Sequence, residues 1–180
     1  MTKILIIGPQ CSGKGTQGKL LEKYGFTHLS SGDLIRKSNE KVIGDYKKSG
    51  KYNLGIFLED EYLFKLLEEN LPKNSKKYTL DGFVRNITQA EYVKKRNLVD
   101  LVFYLKVNEK ITLDRMIKRA KEEKRTDDTP KLMKSRLEIY HKETKPILSY
   151  LKKNFEFYEI DGSKSIQEVH EDVKKVLGLN

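Results

Sequence analysis

Lys14 closes the run Gly8-Pro9-Gln10-Cys11-Ser12-Gly13-Lys14, which directly follows the β-branched apolar stretch Lys3 to Ile7 and opens onto residues with helical spacing. Glycines at such a junction let the backbone wrap closely around a phosphate, with N–H groups pointing inward. The helix N-terminus adds partial positive charge and Lys14 a full one. The bland alternative is a glycine-rich turn at a strand end, and the placement between strand and helix argues against it. A second set of residues points the same way. Only seven of the 36 basic side chains are arginine: Arg36, Arg85, Arg96, Arg115, Arg119, Arg125 and Arg136. Lysine supplies the bulk surface charge, whereas arginine is a planar fork that grips phosphate oxygens two at a time. Arg115 and Arg119 are four apart, so one helix face presents both. For any single arginine a surface salt bridge, worth ~0–1 kcal/mol, is an adequate account; for the set it is a poor one.

The elements that must position these groups alternate. Strands are expected at Lys3 to Ile7, Phe26 to Leu29, Tyr78 to Asp81, Leu101 to Val107 and Phe155 to Ile160. Helices are expected over Lys14 to Tyr24, from Leu34 after the capping run Ser30-Ser31-Gly32-Asp33, and over Asp60 to Asn70. Gly44, Gly50 and Gly55 divide the stretch between the last two into two or three short helices. Thr88 caps a helix to about Arg96, and Asn108 caps one to about Glu122. Lys131 to Lys153 reads as one long helix with a kink or break at Pro146, and Ser165 to Leu177 as the last helix. Glu122 to Thr129 reads as an exposed loop. Strands separated by helices give an α/β protein with a five-stranded parallel sheet covered on both faces, ligands sitting beyond the strands' carboxyl ends.

With 180 residues the chain has room for one domain with a real core. Apolar residues make up 37% and charged residues 34%, which describes a globular protein with a heavily charged surface. No apolar stretch approaches the ~20 residues of a membrane helix. The run Ile4 to Ile7 ends at Gly8-Pro9, too short for the core of an export signal, so a cytoplasmic protein is expected. The single Cys11 excludes an internal disulfide framework. Its place beside a helix N-terminus and Lys14 suggests a reactive thiol, the alternative being a small residue tolerated where the backbone does the binding. The net charge of +10 implies anionic partners: nucleotides, nucleic acid or acidic lipid. No aromatic-interleaved basic motif, zinc-finger spacing or basic heptad helix is present, so neither nucleic acid nor membrane is expected. A nucleic-acid-binding protein with a vestigial phosphate loop remains the competing reading from outside the enzymes.

The usual phosphate loop places Ser or Thr directly after its lysine to hold Mg²⁺; here Gly15 intervenes and Thr16 follows. Gly13-Lys14-Gly15-Thr16-Gln17 is the form of the nucleoside monophosphate kinases. Adenylate kinases typically read Gly-x-x-Gly-x-Gly-Lys-Gly-Thr-Gln, then Tyr-Gly-x-x-His-Leu-Ser-Thr-Gly-Asp-Leu-Leu-Arg. This chain continues Tyr24-Gly25-Phe26-Thr27-His28-Leu29-Ser30-Ser31-Gly32-Asp33-Leu34-Ile35-Arg36, then Asp81-Gly82-Phe83-Val84-Arg85 and Gln89. Arg115, Arg119, Arg125, Asp127-Asp128 and Arg136 follow. Over nearly its whole length the sequence resembles the adenylate kinase family. The loop after Glu122 is similar to the family's short lid, and no cysteine cluster is present to bind zinc.

The resemblance implies the P-loop NTPase, nucleoside monophosphate kinase fold in one kinase domain over residues 1–180, with a monophosphate-binding segment at about 30–60 and a short lid at about 119–130. It implies reversible Mg²⁺-dependent transfer, ATP + AMP to 2 ADP, serving adenine nucleotide balance, by a monomer. By the same resemblance Gly8, Cys11, Ser12, Gly13, Lys14, Gly15, Thr16, Arg115, Arg119 and Lys164 lie on the ATP side. Ser31, Arg36, Phe57, Leu58, Gly82, Arg85, Gln89, Arg125 and Arg136 lie on the AMP side, and Lys14, Arg85, Arg119, Arg125 and Arg136 act on the transferring phosphoryl group. Asp81 would hold Mg²⁺ through its water shell, unless it is only a turn carboxylate before Gly82. Asp127 and Asp128 would pair with lid arginines or couple lid closure to substrate. The Ser31 hydroxyl, where the family has Thr, and Gln89 favour AMP over UMP or CMP; a UMP/CMP kinase of the same fold is the alternative, and helix capping is Ser31's other possible work. Val84 stands where the family has Pro, leaving the turn before Arg85 less pre-set. Glu59 replaces Pro or Thr in Gly55-Ile56-Phe57-Leu58-Glu59-Asp60-Glu61, whose backbone would border the AMP base.

Overall fold

In the computed structural model residues 2–38, 40–51, 58–73, 77–123 and 130–180 are described. In chain order the first half runs β1 (Thr2–Ile7), α1 (Lys14–Leu21), β2 (Thr27–Ser30), α2 (Ser31–Lys37), α3 (Lys41–Lys48), α4 (Asp60–Asn70) and β3 (Lys77–Asp81). The second half runs α5 (Ile87–Lys95), β4 (Leu101–Lys106), α6 (Glu109–Glu123), α7 (Pro130–Ile139), α8 (Leu148–Asn154), β5 (Glu156–Asp161) and α9 (Ile166–Leu177). The strands pair in parallel in the order β2-β3-β1-β4-β5.

The apolar run of β1 is explained by its central place. Ile4 and Ile6 point into one core with Leu21 of α1, Phe103 of β4 and Val169 and Val173 of α9. Leu5 and Ile7 point into the other, with Leu67 of α4, Val93 of α5 and Leu151 of α8. A strand buried on both faces has no polar side to alternate with. Helices therefore cover both faces, as the alternating pattern predicts. A third, smaller cluster of Ile35, Ile43, Leu58 and Leu66 packs α2 and α3 onto α4. The chain leaves β1 toward β2 on one side and later crosses to β4 on the other. This reversal opens a crevice beyond the carboxyl end of β1. The register sets Ile6 and Ser30 both opposite Asp81, so the ends of β1, β2 and β3 are level there.

Several boundaries differ from the sequence expectation. The helix expected to reach Tyr24 is α-helical only to Leu21 and tightens to a 3₁₀ turn over Glu22–Tyr24, stopped by Gly25 at φ 80°. Asn86, not Thr88, caps α5: its side chain accepts from the Gln89 N–H at 2.9 Å. Asn108 does cap α6, accepting from the Lys110 N–H at 2.8 Å. The long helix predicted up to Lys153 is broken, as Pro146 requires, but the break spreads upstream. A π-turn at Tyr140–Thr144 and a 3₁₀ turn at Lys145–Ile147 separate α7 from α8. Such wide turns shift side chains off the regular helix face and recur at functional sites. Half of the stretch expected as a lid, 119–130, lies outside the described residues.

Gly18 shows how closely α1 lies on the sheet. A Cβ built there would stand 2.2 Å from Nδ1 of His28 on β2. The His28 ring is fixed by a 2.8 Å hydrogen bond between Nδ1 and Thr79 Oγ1 on β3. Gln17, 2% exposed, ties the same helix to the far end of the chain. Its Nε2 donates to the Ile166 carbonyl at 3.1 Å, and its Oε1 lies 3.0 Å from His170 Nδ1.

Candidate active site

The crevice beyond β1 is a cavity of about 880 Å³. Its floor is the turn from β1 into α1. Ser12 N–H bonds back to the Pro9 carbonyl at 3.2 Å, and Gly13 at φ 99° sits at the N-terminus of α1. Cys11 adopts φ 58°, a left-handed conformation costing a non-glycine residue roughly 1–2 kcal/mol. In the family pattern this is the second glycine of Gly-x-x-Gly, so the loop keeps a glycine's backbone without the glycine. Ser12 is 2% exposed and its Oγ has no hydrogen-bond partner in the protein. An orphaned buried hydroxyl in a loop that lines the cavity suits an anionic ligand.

Lys14 Nζ donates to the Gly8 and Pro9 carbonyls at 3.0 and 2.7 Å. Burial pushes its ammonium below the ordinary value, the nearby Asp81 carboxylate opposing this and Arg85 and Arg119 adding to it. The lysine thus donates to neutral carbonyls, with one carboxylate and two other cations nearby. A bound phosphate would add counter-charge and raise its pKa again.

The opposite wall begins at the end of β3. Gly82 has φ 79°, and a Cβ there would fall 2.5 Å from Ser31 Oγ and 2.9 Å from the Arg85 guanidinium. Only glycine fits where the chain turns beneath these two side chains. Ser31, 1% exposed, donates its hydroxyl to the Gly82 carbonyl at 2.8 Å and accepts from Arg85 Nη2 at 3.4 Å. Ser31 is therefore not the cap of α2; Ser30 is, accepting from the Asp33 N–H at 3.3 Å. Arg85 is held along its backbone on both sides. Its N–H donates to Gln89 Oε1 at 2.7 Å, and its carbonyl accepts from Thr144 Oγ1 at 2.9 Å. Gln89 Nε2 in turn donates to Asp60 Oδ1 at 2.6 Å. These bonds do the work that the missing proline at Val84 would do. Gln89 is fully buried behind Arg85 and does not line the cavity, unlike Ser31, Leu58 and Arg36. Arg36 pairs with Asp33 within α2.

Arg115 and Arg119 of α6 and Arg136 of α7 line the remaining side. Arg115 clamps the loop after β5, donating to the carbonyls of Gly162 at 2.7 Å and of Ser163 and Lys164 at 3.3 Å each. Lys164 lines the cavity, with its ammonium 2.7 Å from Asp172. Five arginines from separate parts of the chain thus meet one cavity with Lys14. Arg96, the one arginine outside the family resemblance, lies elsewhere, paired with Glu68 and stacked over Tyr92. Arg125, Phe57, Asp127 and Asp128 lie outside the described residues.

Among the described residues no cluster of three or more His, Cys, Asp or Glu side chains is arranged to hold a metal. Asp81 faces the floor near Gly15, whose added Cβ would lie 3.6 Å from Asp81 Oδ2. One carboxylate in a cavity that Thr16 also lines suits Mg²⁺, which keeps most of its water and takes further ligands from substrate phosphates. Thr144 and Gln10 were not singled out from sequence. Thr144 has a signal in hindsight, the helix break forced by Pro146.

The adenylate kinase family model matches residues 6–156. An adenylate kinase of Prochlorococcus marinus (strain NATL2A) is 36% identical over 187 residues, covering 98% of this chain and 98% of the relative. One from Phocaeicola vulgatus is 35% identical over 183 residues, covering 96% of each. One from Parvibaculum lavamentivorans is 33% identical over 194 residues, covering 99% of this chain and 93% of the relative. The match runs through the phosphate loop, the Asp81–Arg85 turn and the arginines of α6 and α7 alike, and the chain belongs to the adenylate kinase family.

Proposed function

We propose that the protein moves a phosphoryl group reversibly between ATP and AMP, giving two ADP, with Mg²⁺, as a cytoplasmic enzyme of adenine nucleotide balance and biosynthesis. The observation that carries the reading is the convergence of Arg36, Arg85, Arg115, Arg119 and Arg136 on the cavity above Lys14. The phosphate of AMP has a second pKa of ~6 and is already a nucleophile at neutral pH. The reaction therefore needs no general base, only charge neutralisation, alignment and exclusion of water. Arg36 and Arg85 grip the AMP phosphate. Lys14 and the loop N–H groups hold the ATP phosphates, while Arg119, Arg136 and Arg125 neutralise the charge on the group in flight. Mg²⁺ supplies further charge neutralisation on the ATP phosphates, with Asp81 and Thr16 as the groups that hold it. Arg115 shapes the adenine end of the ATP site by fixing the loop at Gly162 to Lys164 and offering its guanidinium face to the base. Residues 30–60 form the monophosphate segment. There Ser31 and Leu58 border the AMP base, together with Phe57; behind Arg85, Gln89 serves the AMP side by fixing that arginine.

The test is a panel of AMP, UMP and CMP with ATP and Mg²⁺, read by ADP formation. AMP is expected to give the highest kcat/KM. A higher value with UMP or CMP would refute the AMP assignment. A mimic joining two adenosines through five phosphates is expected to raise the unfolding temperature, since a ligand bound only by the native state stabilises it by mass action.

A further inference from the structure

Gln10 is the one long polar side chain inside the turn that binds phosphate, and it lines the cavity. Oriented by the donors in front of it, its amide oxygen accepts from Arg119 Nη2 at 3.1 Å and from Arg136 Nη1 at 3.3 Å. These arginines come from two helices, α6 and α7, and both are assigned above to the group in flight. Two guanidiniums converging on one oxygen is the arrangement a phosphoryl oxygen receives.

We infer that Gln10 is a built-in placeholder for the transferring phosphoryl group, a positioning residue that keeps Arg119 and Arg136 converged over the loop before nucleotide arrives. The chemistry of an amide suits the task. Its oxygen is a strong enough acceptor to hold two cations, and it is neutral, so an anionic phosphoryl oxygen displaces it. A carboxylate at the same place would hold the pair by charge and would not yield. The inference rests on the phosphoryl-transfer reading.

The experiment measures the affinity of the five-phosphate diadenosine mimic by calorimetry, together with kcat, in five proteins: the unaltered enzyme, Gln10→Glu, Gln10→Met, Arg119→Ala/Arg136→Ala, and Gln10→Glu added to that double variant. Thermal unfolding without ligand confirms that each is folded. Gln10→Glu is expected to weaken the mimic by at least about tenfold, because an ionised acceptor holds guanidiniums about twice as strongly as a neutral one. Gln10→Met removes the acceptor without adding charge. It is expected to cost less than about threefold in affinity while lowering kcat about three- to tenfold, since the pair must be gathered anew in each turnover. Relative to the double-alanine protein itself, the Gln10→Glu loss should shrink to less than about threefold, the coupling expected of groups in contact. Equal behaviour of the Glu and Met variants would overturn the placeholder. So would a Glu effect undiminished without the arginines, which would mark direct repulsion of the nucleotide. Failure of the unaltered enzyme to bind the mimic would instead overturn the phosphoryl-transfer reading.

Discussion

Replacing Gly18 by alanine tests how the phosphate loop's helix is held on the sheet. In most helices the change is favourable, by about 0.8–1.0 kcal/mol of intrinsic propensity. Here the new Cβ would stand 2.2 Å from His28 Nδ1 and 2.9 Å from Cγ, where ordinary contact begins at 3.4 Å. The shortfall is about 1.2 Å, and the ring cannot simply swing aside, because Cγ is itself too close and Nδ1 is bonded to Thr79. Overpacking of this kind costs about 1–3 kcal/mol. Gly18→Ala should therefore destabilise by a net of up to ~2 kcal/mol, a fall in unfolding temperature of up to about 8 °C for a chain of this size. Removing the ring first should reverse the sign. In a His28→Ala background the same substitution should be neutral or stabilising by up to ~1 kcal/mol, a coupling of about 1–3 kcal/mol, the overpacking cost itself. Urea unfolding of the four proteins of the cycle, with m-values compared, is the assay. An equal effect of Gly18→Ala with and without His28 would refute the steric account.

His28 also carries a pH prediction. Burial lowers its pKa from the ordinary 6.5, with Asp81, Glu22 and Asp33 partly opposing, and its Nε2 has no partner to receive an added proton. The unfolded chain then binds the proton more readily than the folded one, so stability falls as the pH drops below 6.5 toward the lower native value. The difference in stability between pH 7.5 and 5 should be smaller in His28→Asn than in the unaltered protein, and an unchanged difference would exclude His28 as the titrating group. Thr144→Val keeps the shape of a residue only 4% exposed but leaves the Arg85 carbonyl without its donor. KM for AMP should rise about tenfold with KM for ATP nearly unchanged, as expected for about 1–1.5 kcal/mol lost at a phosphate-gripping residue. Arg119→Ala should lower kcat by about a hundredfold or more with unfolding essentially unaltered, measured by ADP formation and circular dichroism.

What could be read from sequence was local or carried by residue type. The loop ending in Lys14 is contiguous, and its chemistry follows from its position between strand and helix. The rarity of arginine among so many lysines marked out the site even though Arg36 and Arg136 lie far apart in sequence, because few uses other than a phosphate require a fork. What could not be read depends on where side chains turn after folding. Gln89 has the right chemistry to meet a base, but Asp60 and the Arg85 backbone claim it, 29 and four residues away. Thr144 meets the Arg85 carbonyl across 59 residues through a π-turn that no periodicity announces. Asn86 and Thr88 both have capping chemistry two positions apart, and only the direction of the incoming chain chose between them. The proline absent at Val84 was a visible loss of local restraint, while its replacement by two long-range hydrogen bonds was not visible at all.

The tie from Gln17 to Ile166 and His170 spans 149 and 153 residues, and Arg115 reaches another 47 residues to grip Gly162. The nucleotide pocket is thus sewn together from the first and last parts of the polypeptide. A nascent chain emerging from the ribosome holds its phosphate loop early, yet has nothing to close the wall beside it until β5 and α9 have been synthesised. Nucleotide in the cell can therefore reward only a chain grown past α9, and a fragment stalled before Asp161 would carry every arginine of the site without the loop that Arg115 clamps.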